Sequence, residues 1–400
     1  MTKTFFTATQ LFSFEPFRNN PESFHEKLRY TKSKMNLSAL MIGANLKEDE
    51  SIHVREVCHK LDIKTYLWYP VLADIPEAAD IKGLELRGLG DEAASFILET
   101  QKESGEDFGF LCPVKAHDDT GLFDFYQGYL DRFGFDGVFL DKIRYPSPAN
   151  GLSNLIGCQC EVCRKRYKEE GLNPVELFDR LLEKLKTLTT ALEMQAVING
   201  FLPELKAFYA FRERQVTRLV SKYIKAARDR ELSVGIDLFT PSLASVVSQN
   251  YDELCRLADW VKPMLYLKTM GPAGLPMEFA SLVKIVRGLN AGMPEGEIIR
   301  FFKDKLAVDL PQTLSAIEKD GLAFSVFSDE MNKAENFTPD GMTTFYPGFE
   351  AVTFPPVCDM TEERLKQYQE EIRKNELPGF VLSWDISKIP EKNIQVMEQL

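Results

Sequence analysis

Along the chain, short runs of aliphatic, β-branched and aromatic residues alternate with longer stretches whose apolar positions recur every three to four residues. That alternation predicts βα units around a parallel sheet whose strands are buried on both faces. The runs fall at residues 38–44 (SALMIGA), 64–72 (KTYLWYPVL), 108–114 (FGFLCPV), 137–141 (GVFLD), 233–239 (SVGIDLF), 260–267 (WVKPMLYL) and 379–385 (GFVLSWD). One more, the seventh in order, is either 344–352 (TFYPGFEAV) or 322–327 (LAFSVF). Eight such runs favour a closed (β/α)8 TIM barrel over an open sheet. Residues 5–12 offer an extra strand, so the strand numbering can shift by one.

The helical stretches carry start and stop signals. Asn20-Pro21-Glu22 opens one with Pro at its first position, and Thr361-Glu362-Glu363 opens another with acids in the first turn. Residues 203–230 read as a long amphipathic helix whose basic end (Lys225, Arg228, Arg230) complements its dipole. The gap between the fourth and fifth runs far exceeds a usual βα loop. Residues 146–203 are therefore expected to be an insertion at the catalytic face, with helices near 175–192. A second enlarged segment spans 292–341. No repeat or linker divides the chain, so residues 1–400 are expected to be one barrel domain.

Composition adds exclusions. A chain of 400 residues that is 44% apolar can bury a large core. Its net charge of −12 argues against a nucleic-acid or membrane-surface partner and suits a neutral substrate. The first twenty residues lack the apolar core and cleavage site of a signal peptide, and no stretch has transmembrane length. Seven cysteines, an odd number, fit a reducing compartment, and the cytoplasm is the expected one. Nothing in the sequence sets an oligomeric state.

Four acids fall at or near carboxyl ends of predicted strands: Asp141, Asp237, Glu350 and Asp385. Barrel enzymes gather such residues around one mouth, and glycoside hydrolysis needs two carboxyl groups flanking the scissile bond. Asp141, in FDGVFLDKIRYP, has the strongest case, with Lys142 and Arg144 near enough to hold it ionised. Its alternative role is an ion pair with Arg144 that fixes the loop. Asp237, in GIDLFTP, is the leading partner, and Glu350 depends on the choice of seventh strand. Asp385 either binds substrate or caps the loop before Pro390. Trp68, Tyr145, Tyr266 and Trp384 lie near the same ends and suit sugar rings, with Tyr266 and Trp384 ahead of Trp68. Arg144, Lys262 and Asp385 complete the expected substrate-binding set.

Cys158, Cys160 and Cys163 form a dense cluster after the fourth run, and thiolates at this spacing offer three ligands to a structural zinc. Cys112 or His117 supplies the fourth in that reading; reduced thiols that merely pack the loop are the other. No cofactor is required for the chemistry. The four histidines (His25, His53, His59, His117) sit outside the best site-like segments, and no nucleophile elbow, Walker loop or dinucleotide fingerprint follows a strand. Gly271-Pro272-Ala273-Gly274 reads as a tight loop before a helix near Pro276.

Taken together, FDGVFLDKIRYPS, CQCEVC, FRERQVTRLV, GIDLFTPSLASVVSQNYDELCRLADWVKPMLY and GPAGLP resemble the TIM-barrel glycoside hydrolases known as hypothetical glycosyl hydrolases. The resemblance covers most of the chain and implies a carbohydrate substrate. Barrel families similar to the α-amylase and α-galactosidase groups place an Asp nucleophile at the end of the fourth strand, which matches Asp141. Their fifth-strand acid is usually Glu, where this chain has Asp237. Families similar to retaining β-glycosidases use Glu on strands four and seven, which Glu350 fits and Asp141 does not. The expectation is a glycoside hydrolase with Asp141 as nucleophile or stabiliser and Asp237 as acid/base. A non-hydrolytic sugar-binding barrel and a metal-dependent barrel enzyme are the alternatives.

Overall fold

Phe6–Leu11 alternates side chains in the FTATQL run and pairs in parallel with Ala39–Gly43 on one side and Gly379–Ser383 on the other, joining the first and last strands of a ring. The molecule is described from a computed structural model that covers residues 5–75, 83–90, 109–337 and 343–398. Lys64–Pro70, Gly137–Asp141, Ser233–Leu238 and Trp260–Pro263 follow in order, each parallel to its predecessor. The seventh position is built from two pieces. Thr344–Phe345 pairs with Trp260–Val261, while Gly348–Glu350 pairs with the last strand and bridges Met264. The ring is a (β/α)8 TIM barrel.

Two of the expected strands change. The run at 108–114 is not a barrel strand: Phe110 and Leu111 make single antiparallel bridges to Ala73 and Glu85, and a helix, Pro113–Asp118, begins at the proline. Phe108 lies outside the described residues. A short apolar run does not by itself separate strand from loop, and Pro113 has no N–H for a sheet ladder. Phe6–Leu11 takes the vacant place, so Gly137–Asp141 is still fourth. The other change is at 322–327, which enters the helix Ser325–Glu335; 344–352 holds the seventh strand.

Inward-facing side chains fill the barrel with a cluster separate from the layer between strands and helices: Ala8, Met41, Tyr66, Phe139, Trp260 and Val381 are among them. Trp260 stacks on Phe139 at 5.2 Å and covers Gly235, where a Cβ would come within 2.1 Å of the indole. The polar residues nearer the carboxyl ends therefore rest on an apolar, aromatic floor.

Between the fourth and fifth strands lie the helices Leu152–Leu155, Glu161–Glu169, Pro174–Leu185 and Ala191–Gly200, then the 27-residue helix Leu202–Arg228. The expected helical stretch at 175–192 is broken before Ala191 by a capping box. Thr190 accepts the Glu193 N–H, and the Glu193 carboxylate accepts the Thr190 N–H. The segment 292–341 supplies Glu295–Leu306, Leu314–Asp320 and Ser325–Glu335. Among the described residues, no helix is long and apolar enough to cross a membrane.

Candidate active site

The fourth strand is anchored at its start and delivers its acid at its end. Asp136 accepts the Thr65 N–H at 2.7 Å and hydroxyl at 3.0 Å, and lies 3.1 Å from His59. Gly137 lets Tyr66 and the Ser233 carbonyl approach, since a Cβ there would sit 2.4 Å from the ring and 2.6 Å from the oxygen. At the other end, Asp141 accepts Trp68 Nε1–H at 2.9 Å on one oxygen and the Lys142 N–H on the other. Two N–H donors complement a carboxylate charge. Lys142 adopts a left-handed backbone (φ 53°) and turns its ammonium onto Asp74. A small open pocket here is walled by Phe12, Asn45, Trp68, Asp74, Asp141 and Lys142, among others.

Asp237 lies one strand along. The fourth and fifth strands pair Leu140 with Ile236, so the next step sets Asp141 beside Asp237. Asp237 is 2% exposed and does not reach the pocket wall. Its Oδ2 accepts from Lys262 Nζ at 2.7 Å, while its Oδ1 is buried with no partner. Burial pushes the Asp237 carboxyl up to about 7, against the pull of Lys262 and with a further push from Asp141. The Asp237 charge in turn keeps buried Lys262 protonated, above its ordinary value despite desolvation.

Lys262 is the hub of a buried network across the barrel. Its Nζ donates to Tyr266 Oη at 2.7 Å and reaches Gln10 Oε1 at 3.4 Å. Tyr266 and Ser383 hydroxyls are 2.8 Å apart, and Ser383 donates to Gln10 at 3.0 Å. Gly348 makes room for the lysine stem, because a Cβ there would come 2.4 Å from Lys262 Cε. Gln10 and Ser383 were missed in the sequence. Their signal was parity: each is a polar residue on the inward-facing positions of a strand otherwise lined by Ala8 or Val381.

The other expected site residues separate into distinct places. Trp68 touches Asp141 directly and lines the pocket, whereas Tyr266 lies in the buried Lys262 network. Trp384 packs half-buried against the main core. Arg144 makes no ion pair with Asp141: it lies between the Phe110 and Phe239 rings, at 5.0 and 4.7 Å, and donates to the Tyr145 carbonyl. Burial pulls its guanidinium below the ordinary value, opposed by Glu278, Asp141, Asp74 and Asp237.

Tyr145 does not line the pocket beside Asp141. It is fully buried, with Arg212 3.8 Å above its ring. Glu350 is likewise no free carboxylate at the mouth. Its Oε1 accepts the Lys268 and Thr269 N–H groups and the Thr269 hydroxyl, and its Oε2 accepts from Tyr368, so it clamps the loop after the sixth strand. Asp385 caps the turn before Pro390: it accepts from Ser387 N and Ser13 N, and burial raises its carboxyl to about 6. Glu278, unforeseen, clamps the fourth-strand loop by accepting from Ser147, Ala149 and Ala273.

Cys158, Cys160 and Cys163 meet Cys112, and the four sulfurs lie within 4.8 Å of one another. His117 is not part of this group; its Nδ1 pairs with Asp118.

No protein-family model matches the chain, and no curated protein matches it. Solved structures do. The PgaB (BpsB) glycoside hydrolase domain from Bordetella bronchiseptica is similar with a TM-score of 0.55 and 13% identity over 99% of both chains. Alpha-L-fucosidase isoenzyme 2 from Paenibacillus thiaminolyticus gives 0.51 and 11% identity, over 98% of this chain and 48% of that one. The E323A catalytic mutant of Gan42B, a GH42 beta-galactosidase from G. stearothermophilus, gives 0.53 and 8%, over 99% and 56%. This chain thus spans about half the length of the latter two. At these identities the likeness is one of fold: the chain has the TIM barrel on which these glycoside hydrolases are built.

Proposed function

We propose that the protein is a retaining glycoside hydrolase acting on an oligosaccharide or glycoside, with Asp141 as nucleophile and Asp237 as acid/base. The observation that carries this is the pairing of two carboxyl groups in opposed environments at adjacent strand ends. Asp141 is held by two N–H donors on the wall of a pocket. Asp237 is buried, with one oxygen unpartnered and its carboxyl raised to about 7. A buried acid that holds its proton beside a carboxylate that accepts two N–H bonds assigns one to each role. Neighbouring strands lie about 4.8 Å apart, which suits the roughly 5 Å carboxyl separation of retaining enzymes.

In this mechanism the Asp141 carboxylate attacks the anomeric carbon while protonated Asp237, which lies behind the pocket wall and is uncovered as substrate binds, gives its proton to the leaving oxygen. The resulting glycosyl ester is then hydrolysed by a water whose proton returns to Asp237. Trp68 fixes the attacking carboxylate. Lys262 limits how far burial raises Asp237, keeping its proton transferable near neutrality. The acidic, carbohydrate-directed barrel has seven unbridged cysteines, which suits a reducing compartment such as the cytoplasm.

The test is a panel of chromogenic glycosides assayed with wild type, Asp141→Asn and Asp237→Asn. Turnover by wild type should decline above about pH 7, where Asp237 loses its proton, and both variants should lose it while keeping their fold. Wild-type turnover by Asp141→Asn would overturn the assignment.

A further inference from the structure

We propose that Cys112, Cys158, Cys160 and Cys163 bind one zinc ion that staples the segment after the third strand to the insertion after the fourth. Cys112 ends a stretch held by Phe110 and Leu111 against Ala73 and Glu85. The other three come from a loop and the first turn of Glu161–Glu169, about fifty residues on. All four are buried and free. Cys112 Sγ lies 3.8 Å from Cys160 Sγ and 3.4 Å from Cys163 Sγ. A tetrahedron with metal–sulfur bonds of about 2.3 Å has edges of about 3.8 Å, so the cluster has the dimensions of a single ion's cage.

The backbone around the cage is shaped for it. Arg87 N–H points at Cys158 Sγ at 3.3 Å, and Gln159 N–H binds the Arg87 carbonyl at 2.9 Å. Donors of this kind orient thiolate ligands. Gly157 lets the two segments touch, since a Cβ would meet the Arg87 carbonyl and the Leu86 side chain at 2.8 Å.

An independent observation points to missing negative charge. Arg212 is wholly buried, donates one bond to the Leu155 carbonyl at 2.9 Å, and leaves Nε and its second terminal nitrogen without partners. No ion pair neutralises it among the described residues, although buried charges are ordinarily paired. Its guanidinium lies on the Tyr145 ring, and the adjacent Phe211 packs on Tyr167, one helical turn from Cys163. Zinc displaces four thiol protons to leave a tetrathiolate centre of net charge −2, released protons going to solvent. That centre supplies a counter-charge within the same buried cluster that holds Tyr145 and Tyr167. Four neutral thiols supply none.

The inference is independent of the glycosidase reading. Its test is metal analysis of the full-length protein purified without chelator or metal-affinity resin. One zinc per chain is expected, released in step with mercurial titration of the cluster thiols. Cys160→Ser and Cys163→Ser should lose the zinc, and Cys255→Ser, outside the cluster, should keep it. Because cluster variants can fail to fold, wild type is also stripped and reloaded with cobalt(II). Stoichiometric uptake with intense tetrahedral thiolate–cobalt bands supports the site. Purification with no zinc and no such bands, or with iron in its place, overturns it.

Discussion

Replacing Lys262 by Met tests the electrostatic core of the account. Met keeps most of the stem volume beside Gly348 but removes the cation 2.7 Å from Asp237. In wild type the folded carboxyl titrates at about 7, against roughly 3.9 in the unfolded chain. The folded state therefore binds the proton more tightly. Stability from this group is greatest at low pH and falls by roughly 1.4 kcal/mol per unit between about pH 4 and 7, a total of roughly 4 kcal/mol. At an effective dielectric of about 20, the lost contact is worth at most roughly 6 kcal/mol, or about four pKa units, so the carboxyl of the variant moves up. The stability difference between wild type and variant should accordingly be flat below pH 7 and grow by about 1.4 kcal/mol per unit above it, until the variant's carboxyl titrates. Urea unfolding at a series of pH values measures this. Infrared titration of the carboxyl band, assigned with Asp237→Asn, reads the shift without any substrate. A difference that stays flat up to pH 9, or a band that moves down, would refute the reasoning.

Three further outcomes follow from the same geometry. Glu350→Ala strips the acceptor from two buried backbone amides and two hydroxyls, so urea unfolding should show a loss of about 3 kcal/mol; a negligible loss would mean the clamp is not needed. Gly348→Ala drives a methyl into the Lys262 stem and should raise the Asp237 titration as Lys262→Met does, seen in the same infrared band; an unmoved band would contradict the close approach. Tyr145→Phe removes a buried hydroxyl that has no partner, so turnover and melting temperature should barely change. A large drop in turnover would return Tyr145 to the sugar site.

Much of the barrel was legible because its strands are buried on both faces and read as apolar runs. Gly137–Asp141 and Ser233–Leu238 were found almost to the residue. The run at 108–114 misled because FGFLCPV has a strand's composition, while its single bridges to Ala73 and Glu85 and the helix that begins at Pro113 do not show in periodicity. Phe6–Leu11 was undervalued for the opposite reason: Thr7, Thr9 and Gln10 dilute its apolar signal, though the threonine hydroxyls are spent on backbone carbonyls. Asp141 and Asp237 were legible as strand-end acids; Lys262, expected to bind substrate, is instead wholly buried against Asp237. Whether a strand-end acid is free or spent was not legible. Glu350 sits where catalytic acids sit, yet its oxygens are taken by Lys268, Thr269 and Tyr368 from other elements, and Asp385 accepts one N–H from distant Ser13 and one from Ser387, two residues on. Tyr145 followed Asp141 too closely to be separated from it by pattern, and its place is decided by the helix Leu202–Arg228, whose Arg212 lies on its ring.

The central claim is that Asp141 attacks the sugar. Incubating the protein with a panel of activated 2-deoxy-2-fluoro glycosides and mapping the adduct by peptide mass spectrometry tests it most directly. The account predicts a covalent glycosyl ester on the peptide that contains Asp141, absent from Asp141→Asn. An adduct on another acid, or one that persists when Asp141 is replaced, would contradict it.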